Sequence, residues 1–488
     1  EHVEKSNSCS GDVLPLLWNL SVELGPKSDA GQAVHQDVLY IMLQLSDIQH
    51  GECVLCTEDY SGQFAASAGR LAGHVLLIGA NRLITNRAEV LRALDAADGT
   101  NWSFSTLAEL DELPETRKLI GLVPFGRPIK PETTKAFSGF DNSVEFNGAQ
   151  PAEALAMRYY ASLSGGIATL LAPPVCAFGR GRVEEVRREI LKSQLFQSVT
   201  TLPGNTLSGA SLSPVLLNLS TSDNRKVVLV DLEESKHINR GARRRYSILE
   251  PNHVIRVIRG LDESEDAIEV QVDAILAQDA ALLPRRYMME VDIGESIALG
   301  DLVQVIRAPV KSKKADTLTV QEIGIPQLSF DRWQSITGSS KTVDIPERRL
   351  ERFVLQPGDL VISNKGTIGK SGIVGEECEK NDAPPVLSNS CIALRISKES
   401  DQHLLPALLL FLRSESGRKQ FDALSTGVAI KQITPDTLLK GFRVPAFTAE
   451  QANKSRQVLE EIRIKENEID SLRNEISLMA EQGLAKSN

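Results

Sequence analysis

The chain has 488 residues, 42% of them apolar and 24% charged, with a formal net charge of −10. That length predicts roughly two to four domains with sizeable cores, and no apolar run approaches the roughly 20 residues of a membrane span. The acidic total argues against nucleic acid as a partner unless local charge says otherwise.

The opening Glu-His-Val-Glu-Lys lacks the basic-then-apolar order of a signal peptide. It also lacks Met, as expected of numbering that starts inside a longer gene product, and a reducing cytoplasm is the expected setting. Cysteines stand at 9, 53, 56, 176, 378 and 391. Cys53 and Cys56 have metal-like spacing, but no second pair or His cluster completes a ligand set. Both sit in an apolar strand pattern, so buried thiols and no metal are expected.

Residues 1–30 give no strong reading. From 31 to 235 strand-like runs alternate with helical patterns. Helices are expected at Ala33–Leu45, Arg87–Leu94, Pro151–Leu163 and Arg182–Leu195. Strands are expected at Cys53–Cys56, Val75–Ile78, Leu119–Val123, Ile167–Ala172 and Phe196–Leu202, with Val215–Leu219 and Val227–Val230 as a closing pair. Alternation of this kind predicts an α/β fold with a doubly wound, Rossmann-like sheet. Residues 236–288 are charged and mixed, and read as a helical bridge.

From 289 to 446 short strands and glycine turns surround one helix, His403–Ala423, which predicts an α+β domain. Two basic clusters, Arg240 with Arg243, Arg244 and Arg245, and Lys311 with Lys313 and Lys314, suit either a solvated loop or phosphate contact. From 447 onward the chain is helical. Val458, Ile462, Lys465, Ile469, Leu472, Ile476 and Met479 alternate by four and three, a coiled-coil seam broken once by Lys465. Such a helix either packs on its own domain or pairs with another long helix, and pairing is the expectation.

Three segments of the first region carry a resemblance. Val54-Leu55-Cys56-Thr57-Glu58-Asp59-Tyr60-Ser61-Gly62-Gln63-Phe64 is a strand, tight turn and helix start. It resembles motif I of the N6-adenine DNA methyltransferase subunits of type I restriction-modification systems, Val-Leu-Asp-Pro-Ala-Cys-Gly-Ser-Gly-Gly-Phe. The family's small residues let the backbone approach S-adenosylmethionine, whereas Tyr60 puts a ring there. At Gly79-Ala80-Asn81 the family has Gly-x-Glu, whose acid holds the ribose; Asn81 is a weaker acceptor. Leu122-Val123-Pro124-Phe125-Gly126 stands where the family reads Asn-Pro-Pro-Phe-Gly. There the Asn side chain and first Pro carbonyl hold the target adenine amino group and the Phe stacks on the flipped base. Pro124 and Phe125 remain, but a leucine at 122 has no hydrogen-bonding atom. Leu171-Ala172-Pro173, Phe178-Gly179 and Pro214 to Leu219 match later family elements in order. The resemblance implies a methyltransferase-like domain altered at three functional motifs, with no catalytic residue and no cofactor expected.

The second region carries a denser one. Gln356-Pro357-Gly358-Asp359 is a turn, Leu360-Val361-Ile362 a buried strand, and Gly366 and Gly369 bracket a second turn ending at Lys370. With Ile297–Val303, Ile323 to Leu328, Leu387 to Arg395 and Thr426 to Ile433, this resembles a target-recognition domain of type I specificity subunits. Gly358 and Asp359 are read as turn-shaping. Asn364, Lys365, Thr367, Lys370, Lys431 and Gln432, together with Arg243, Arg244 and Arg245, are the candidate DNA contacts: Asn and Gln suit adenine, and Lys suits guanine or phosphate.

The expectation is therefore a degenerate methyltransferase fused to one target-recognition domain and a dimerisation helix. It would bind double-stranded DNA in a restriction-like or antiviral defence system, as a homodimer or with a partner nuclease, translocase or methyltransferase. The alternative is an active S-adenosylmethionine-dependent adenine methyltransferase with divergent motifs.

Overall fold

The computed structural model describes residues 33–59, 62–79, 101–106, 118–123, 152–163, 166–207, 212–241, 246–288, 293–309, 317–346, 350–378, 383–426 and 431–485. The expected helix Arg87–Leu94 and the positions Tyr60, Ser61, Asn81, Pro124, Phe125, Arg243, Arg244, Arg245, Lys311, Lys313 and Lys314 lie outside them. The chain divides into two units, residues 1–288 and 289–488.

In chain order the first unit contains α1 (Gln36–Leu45), β1 (Cys53–Thr57), α2 (Gln63–Ala72), β2 (His74–Gly79), β3 (Asn101–Thr106), β4 (Lys118–Leu122) and α3 (Ala152–Leu163). Then come β5 (Ile167–Ala172), α4 (Arg182–Lys192), β6 (Phe196–Thr201), β7 (Val215–Ser220), β8 (Lys226–Asp231), β9 (Ile238–Arg240), β10 (Tyr246–Ile248), α5 (Pro251–Ile258) and β11 (Ala267–Gln271). Nine strands form one sheet in the order β11-β8-β6-β7-β5-β4-β1-β2-β3. β1 pairs in parallel with both β2 and β4, so the strand order reverses beside it. Side chains alternate across the sheet: Val54 and Cys56 enter one apolar layer, with α1, α2 and α5, while Leu55 enters the other, with α3 and α4.

Two expectations change here. Val215–Leu219 and Val227–Val230 are not a pair, because β6 lies between them, antiparallel to β7 and parallel to β8. The link from β7 to β8 crosses the start of β6, where Asn224 Nδ2 donates to Gln194 O at 3.0 Å. Nor is 236–288 a helical bridge. Its charged runs separate apolar pieces that belong to this unit: β11 is an edge strand antiparallel to β8, and Val254, Ile255, Val257 and Ile258 of α5 are buried. Arg187 of α4 pins the tail of that stretch, donating through Nε to Ala280 O at 2.9 Å.

The second unit contains β12 (Ser296–Ala298), β13 (Val303–Ile306), β14 (Thr317–Ile323), β15 (Thr342–Pro346), β16 (Leu360–Ser363), β17 (Ser371–Ile373), β18 (Pro385–Leu387) and β19 (Cys391–Ile396). It continues with α6 (Leu405–Arg413), α7 (Glu415–Leu424), α8 (Pro435–Gly441), β20 (Arg443–Pro445) and α9 (Ala449–Ala485). The strands form sheets β13-β19-β16-β17, β15-β14-β18 and β12-β20, an α+β arrangement.

The expected opening strand Ile297–Val303 is interrupted by a helical turn at Leu299–Leu302, which packs so close to Leu439 that a Cβ on Gly300 would stand 3.1 Å from its carbonyl. The expected single helix His403–Ala423 is two helices. Ser414 ends α6, and its Oγ accepts from Gly417 N at 3.2 Å to start α7. No side chain fits at Gly417, where a Cβ would stand 2.2 Å from Phe411 O. On α9, Ala452 and Leu459 are buried, whereas Ile469, Leu472, Ile476 and Met479 are exposed. Among the described residues no helix is long and apolar enough to cross a membrane.

Candidate functional site

The first candidate is the carboxyl end of β1 and β4, where strand order reverses and open α/β sheets place their ligands. Thr57 at the end of β1 and Glu58 and Asp59 just after it are almost fully buried, and Glu58 takes a left-handed backbone, φ +49°. Asp59 Oδ2 accepts from Ala65 N at 2.8 Å. It thereby satisfies one of the amides that the first turn of α2 leaves open. Gln63 binds the backbone of Val34, its Oε1 accepting from Val34 N at 2.8 Å. β4 presses on β1 here: a Cβ on Gly121 would stand 2.2 Å from Thr57 O.

Leu122 and Val123 are 1% and 0% exposed, and they enter opposite apolar layers. Cys56 is buried beneath the same corner; burial first, then the nearby Asp59 and Cys53, pushes its thiol well above the ordinary range. Among the described residues no cluster of three or more His, Cys, Asp or Glu is placed to hold a metal.

The second candidate is a face of the second unit built from two loops. Gly366 and Gly369 take positive φ, +78° and +83°, and fold Lys365 to Lys370 into a tight turn. Ser363 Oγ ties it, donating to Thr367 O at 2.5 Å and accepting from Lys370 N at 2.9 Å. The loop after α7 lies alongside: Lys365 bridges Gln432, and Gly366 N donates to Lys431 O at 2.8 Å. Residues 364–367 and 431–432 are thus brought together.

Lys365, Thr367, Lys431 and Gln432 are exposed. Lys431 Nζ lies 3.7 Å from Asp422 Oδ1, an ion pair exposed on both sides. Asn364 differs from the other candidates: it is 7% exposed, its N–H donates to Ser390 O and its Nδ2 to Ile433 O. It holds the two loops together and presents nothing outward. Asp359 is buried too and is bound to Arg395.

Three residues of this face escaped the sequence reading. Phe330 is half-buried, with Lys370 Nζ 6.0 Å and Arg418 Cζ 5.4 Å from its ring centroid. Arg413 is buried below, donating to Ser371 Oγ at 3.0 Å and Arg332 O at 2.6 Å and stacking on Trp333. Burial lowers its guanidinium to about 10. The available signal was Ser329-Phe330-Asp331-Arg332-Trp333, a cation-and-aromatic loop between strands.

Residues 126–296 match the family model described as N-6 DNA Methylase, so the chain contains an N6-DNA-methylase-like domain. No curated protein matches the chain. Among solved structures, the chain is similar to the type I restriction-modification system methyltransferase subunit from Streptococcus thermophilus: 18% identity, TM-score 0.47, 57% of this chain and 64% of that one. It is similar to the type IIG restriction endonuclease BpuSI at 10% identity and TM-score 0.46, covering 93% of this chain and 63% of that one. A modification subunit of a putative type I restriction enzyme from Vibrio vulnificus follows at 14% identity, TM-score 0.41, with 56% and 61% covered. This chain spans less than two thirds of each.

A methylase domain implies S-adenosylmethionine. At the β1 and β4 ends the Ala65 amide of α2 is taken by Asp59, and the Leu122 side chain, at the position the resembled family uses for the target adenine, belongs to the apolar core.

Proposed function

We propose that this protein binds double-stranded DNA sequence-specifically through its second unit, a target-recognition domain, and that its first unit is a methyltransferase fold that no longer transfers methyl groups. Leu122 carries the second half of this reading. A buried leucine in the apolar core stands where the resembled family sets an amide on the target adenine, and it offers that amino group neither donor nor acceptor. The exposed Lys365, Thr367, Lys431 and Gln432 support the first half. They come from two loops, supply donors toward a groove, and add no acid of their own. The setting is a cytoplasmic restriction-like or anti-phage defence system. There the bound protein recruits a partner nuclease, translocase or methyltransferase, and α9 pairs with a second copy or a partner helix.

Selection from a random duplex pool tests the reader: an enriched motif is expected, and its absence defeats the reading. Calorimetry with S-adenosylmethionine, alongside plasmid adenine methylation, tests the loss of transfer, and neither binding nor methylation is expected. The second reading, an active adenine-N6 methyltransferase with divergent motifs, is favoured by the family match over 126–296 and the strand-order reversal at β1. Binding and methylation together would establish it.

A further inference from the structure

The cations of the second unit fall into two kinds. Lys419 pairs with Glu415 at 2.7 Å and Lys431 with Asp422 at 3.7 Å. Lys365, Lys370 and Arg418 make no ion pair among the described residues, and two of these three are held by an aromatic ring instead. A ring face attracts a cation without neutralising it, so the full positive charge remains available to an incoming anion.

Four features build this arrangement. Ser329 and Ser371 form an antiparallel bridge, which sets Phe330 beside Lys370. Gly369 lets α7 approach the turn: a Cβ there would stand 3.0 Å from the Phe421 ring. Arg418 lies three residues before Phe421, on the same side of α7, and so reaches the Phe330 ring. Arg413 locks the base of the loop to β17, donating to both Arg332 O and Ser371 Oγ. Asp331, the acid on this loop, is exposed and pairs with neither cation among the described residues.

We propose that Lys370 and Arg418, positioned by Phe330, form a clamp for the phosphate backbone of double-stranded DNA. The clamp flanks the loops of Lys365, Thr367, Lys431 and Gln432. The proposal rests on the duplex-binding reading and says where the backbone lies. A guanidinium and an ammonium converging on one ring suit phosphate oxygens, which carry charge but no sequence. The two cations therefore contribute affinity for any duplex and leave the choice of site to the neighbouring loops.

The test is the salt dependence of duplex binding by the full chain, measured by fluorescence anisotropy on a selected site and on an unrelated duplex. Removing one cation from the phosphates reduces the log–log salt slope by about 0.9. Arg418→Gln and Lys370→Gln are each expected to reduce it by that amount on both duplexes. Arg418→Lys should keep the wild-type slope, as should Lys419→Gln, which removes an already paired charge. Thermal melts of each variant show that the fold is retained. Unchanged slopes for Arg418→Gln and Lys370→Gln in a protein that binds duplex overturn the clamp and leave the reader standing. A wild-type chain that binds single-stranded DNA or RNA but no duplex overturns both.

Discussion

Asp359 grips Arg395 with both carboxylate oxygens, Oδ1 accepting from Nε and Oδ2 from Nη2, each at 2.7 Å. Oδ2 also accepts from Gln356 N at 2.8 Å, closing the Gln-Pro-Gly-Asp turn on itself. The aspartate is 1% exposed. Removing it leaves a half-buried guanidinium without its partner, and breaking such a pair costs about 3 kcal/mol or more. Asp359→Ala is expected to destabilise the second unit by that amount in urea unfolding. A change under about 0.5 kcal/mol, the range of ordinary surface substitutions, would mean that the pair adds nothing.

Gly121→Ala should be as damaging in the first unit. Its Cβ would meet Thr57 O at 2.2 Å and Thr57 Oγ1 at 2.4 Å. The first is backbone of an adjoining central strand and has nowhere to move. A cost of about 3 kcal/mol is expected, the upper end for overpacking. Differential scanning calorimetry should show the first unit's transition displaced while duplex binding is retained. Loss of binding without loss of stability would contradict this.

Local patterns made much of the fold legible. The run Ile167 to Ala172 is apolar almost throughout because β5 is buried on both faces. Glycines 366 and 369 announced a turn because few other residues tolerate that backbone. Long-range choices were not legible. Nothing near 215–230 says that β6 separates β7 from β8, since that depends on a crossing link. The Glu-Ser-Gly of residues 415–417 does not advertise a helix break, which is set by the close approach of α6. In the candidate site, donor type and exposure were confounded. Asn364 and Gln432 read alike in sequence, yet Asn364 turns inward to the Ile433 carbonyl. Phe330 and Arg418 stand far from the motif in sequence and meet Lys370 only through the fold.

His35 should make the first unit sensitive to acid. Its ring stacks on Tyr246 at 4.3 Å, Nε2 donates to Tyr246 O at 2.9 Å, and Nδ1 accepts from Asp37 N at 3.2 Å. The bond accepted at Nδ1 requires the neutral ring, and the two bonds together place its proton on Nε2. Burial lowers its pKa, while Asp37 and the Tyr246 carbonyl pull the other way without overcoming it. Below the ordinary value of about 6.5 the unfolded chain takes a proton that the folded chain refuses. Stability therefore rises with pH through that window, is complete above it, and falls on acidification. His35→Phe keeps the stack and removes the titration, so its melting temperature should fall less than wild type between pH 7 and 5. Parallel curves would refute the assignment.

Asn364→Ala separates holding the loops from reading DNA. The amide loses its bond to Ile433 O, at a cost of about 1–2 kcal/mol, and the selected motif should stay the same. Gln432→Ala, exposed, should leave stability unchanged and relax the motif at one position or more. A relaxed motif in Asn364→Ala at unchanged stability would restore Asn364 as a contact.

The long helix changes character along its length. Glu466 accepts from Trp333 N at 2.8 Å, Arg463 donates to Trp333 O at 3.2 Å, and Gln334 Nε2 donates to Asn467 Oδ1 at 2.8 Å. This half is anchored on its own unit. Farther on, Ile469, Leu472, Ile476 and Met479 are 48%, 57%, 65% and 65% exposed, on the four-and-three spacing of a seam. Covering one such side chain is worth about 1.5–3 kcal/mol. Leu472→Lys with Ile476→Lys should therefore weaken self-association at least about tenfold in sedimentation velocity, with no change in the unfolding of the second unit. A wild-type chain that stays monomeric throughout the micromolar range would assign the seam to a different partner. A variant that dimerises as well as wild type would place the interface elsewhere.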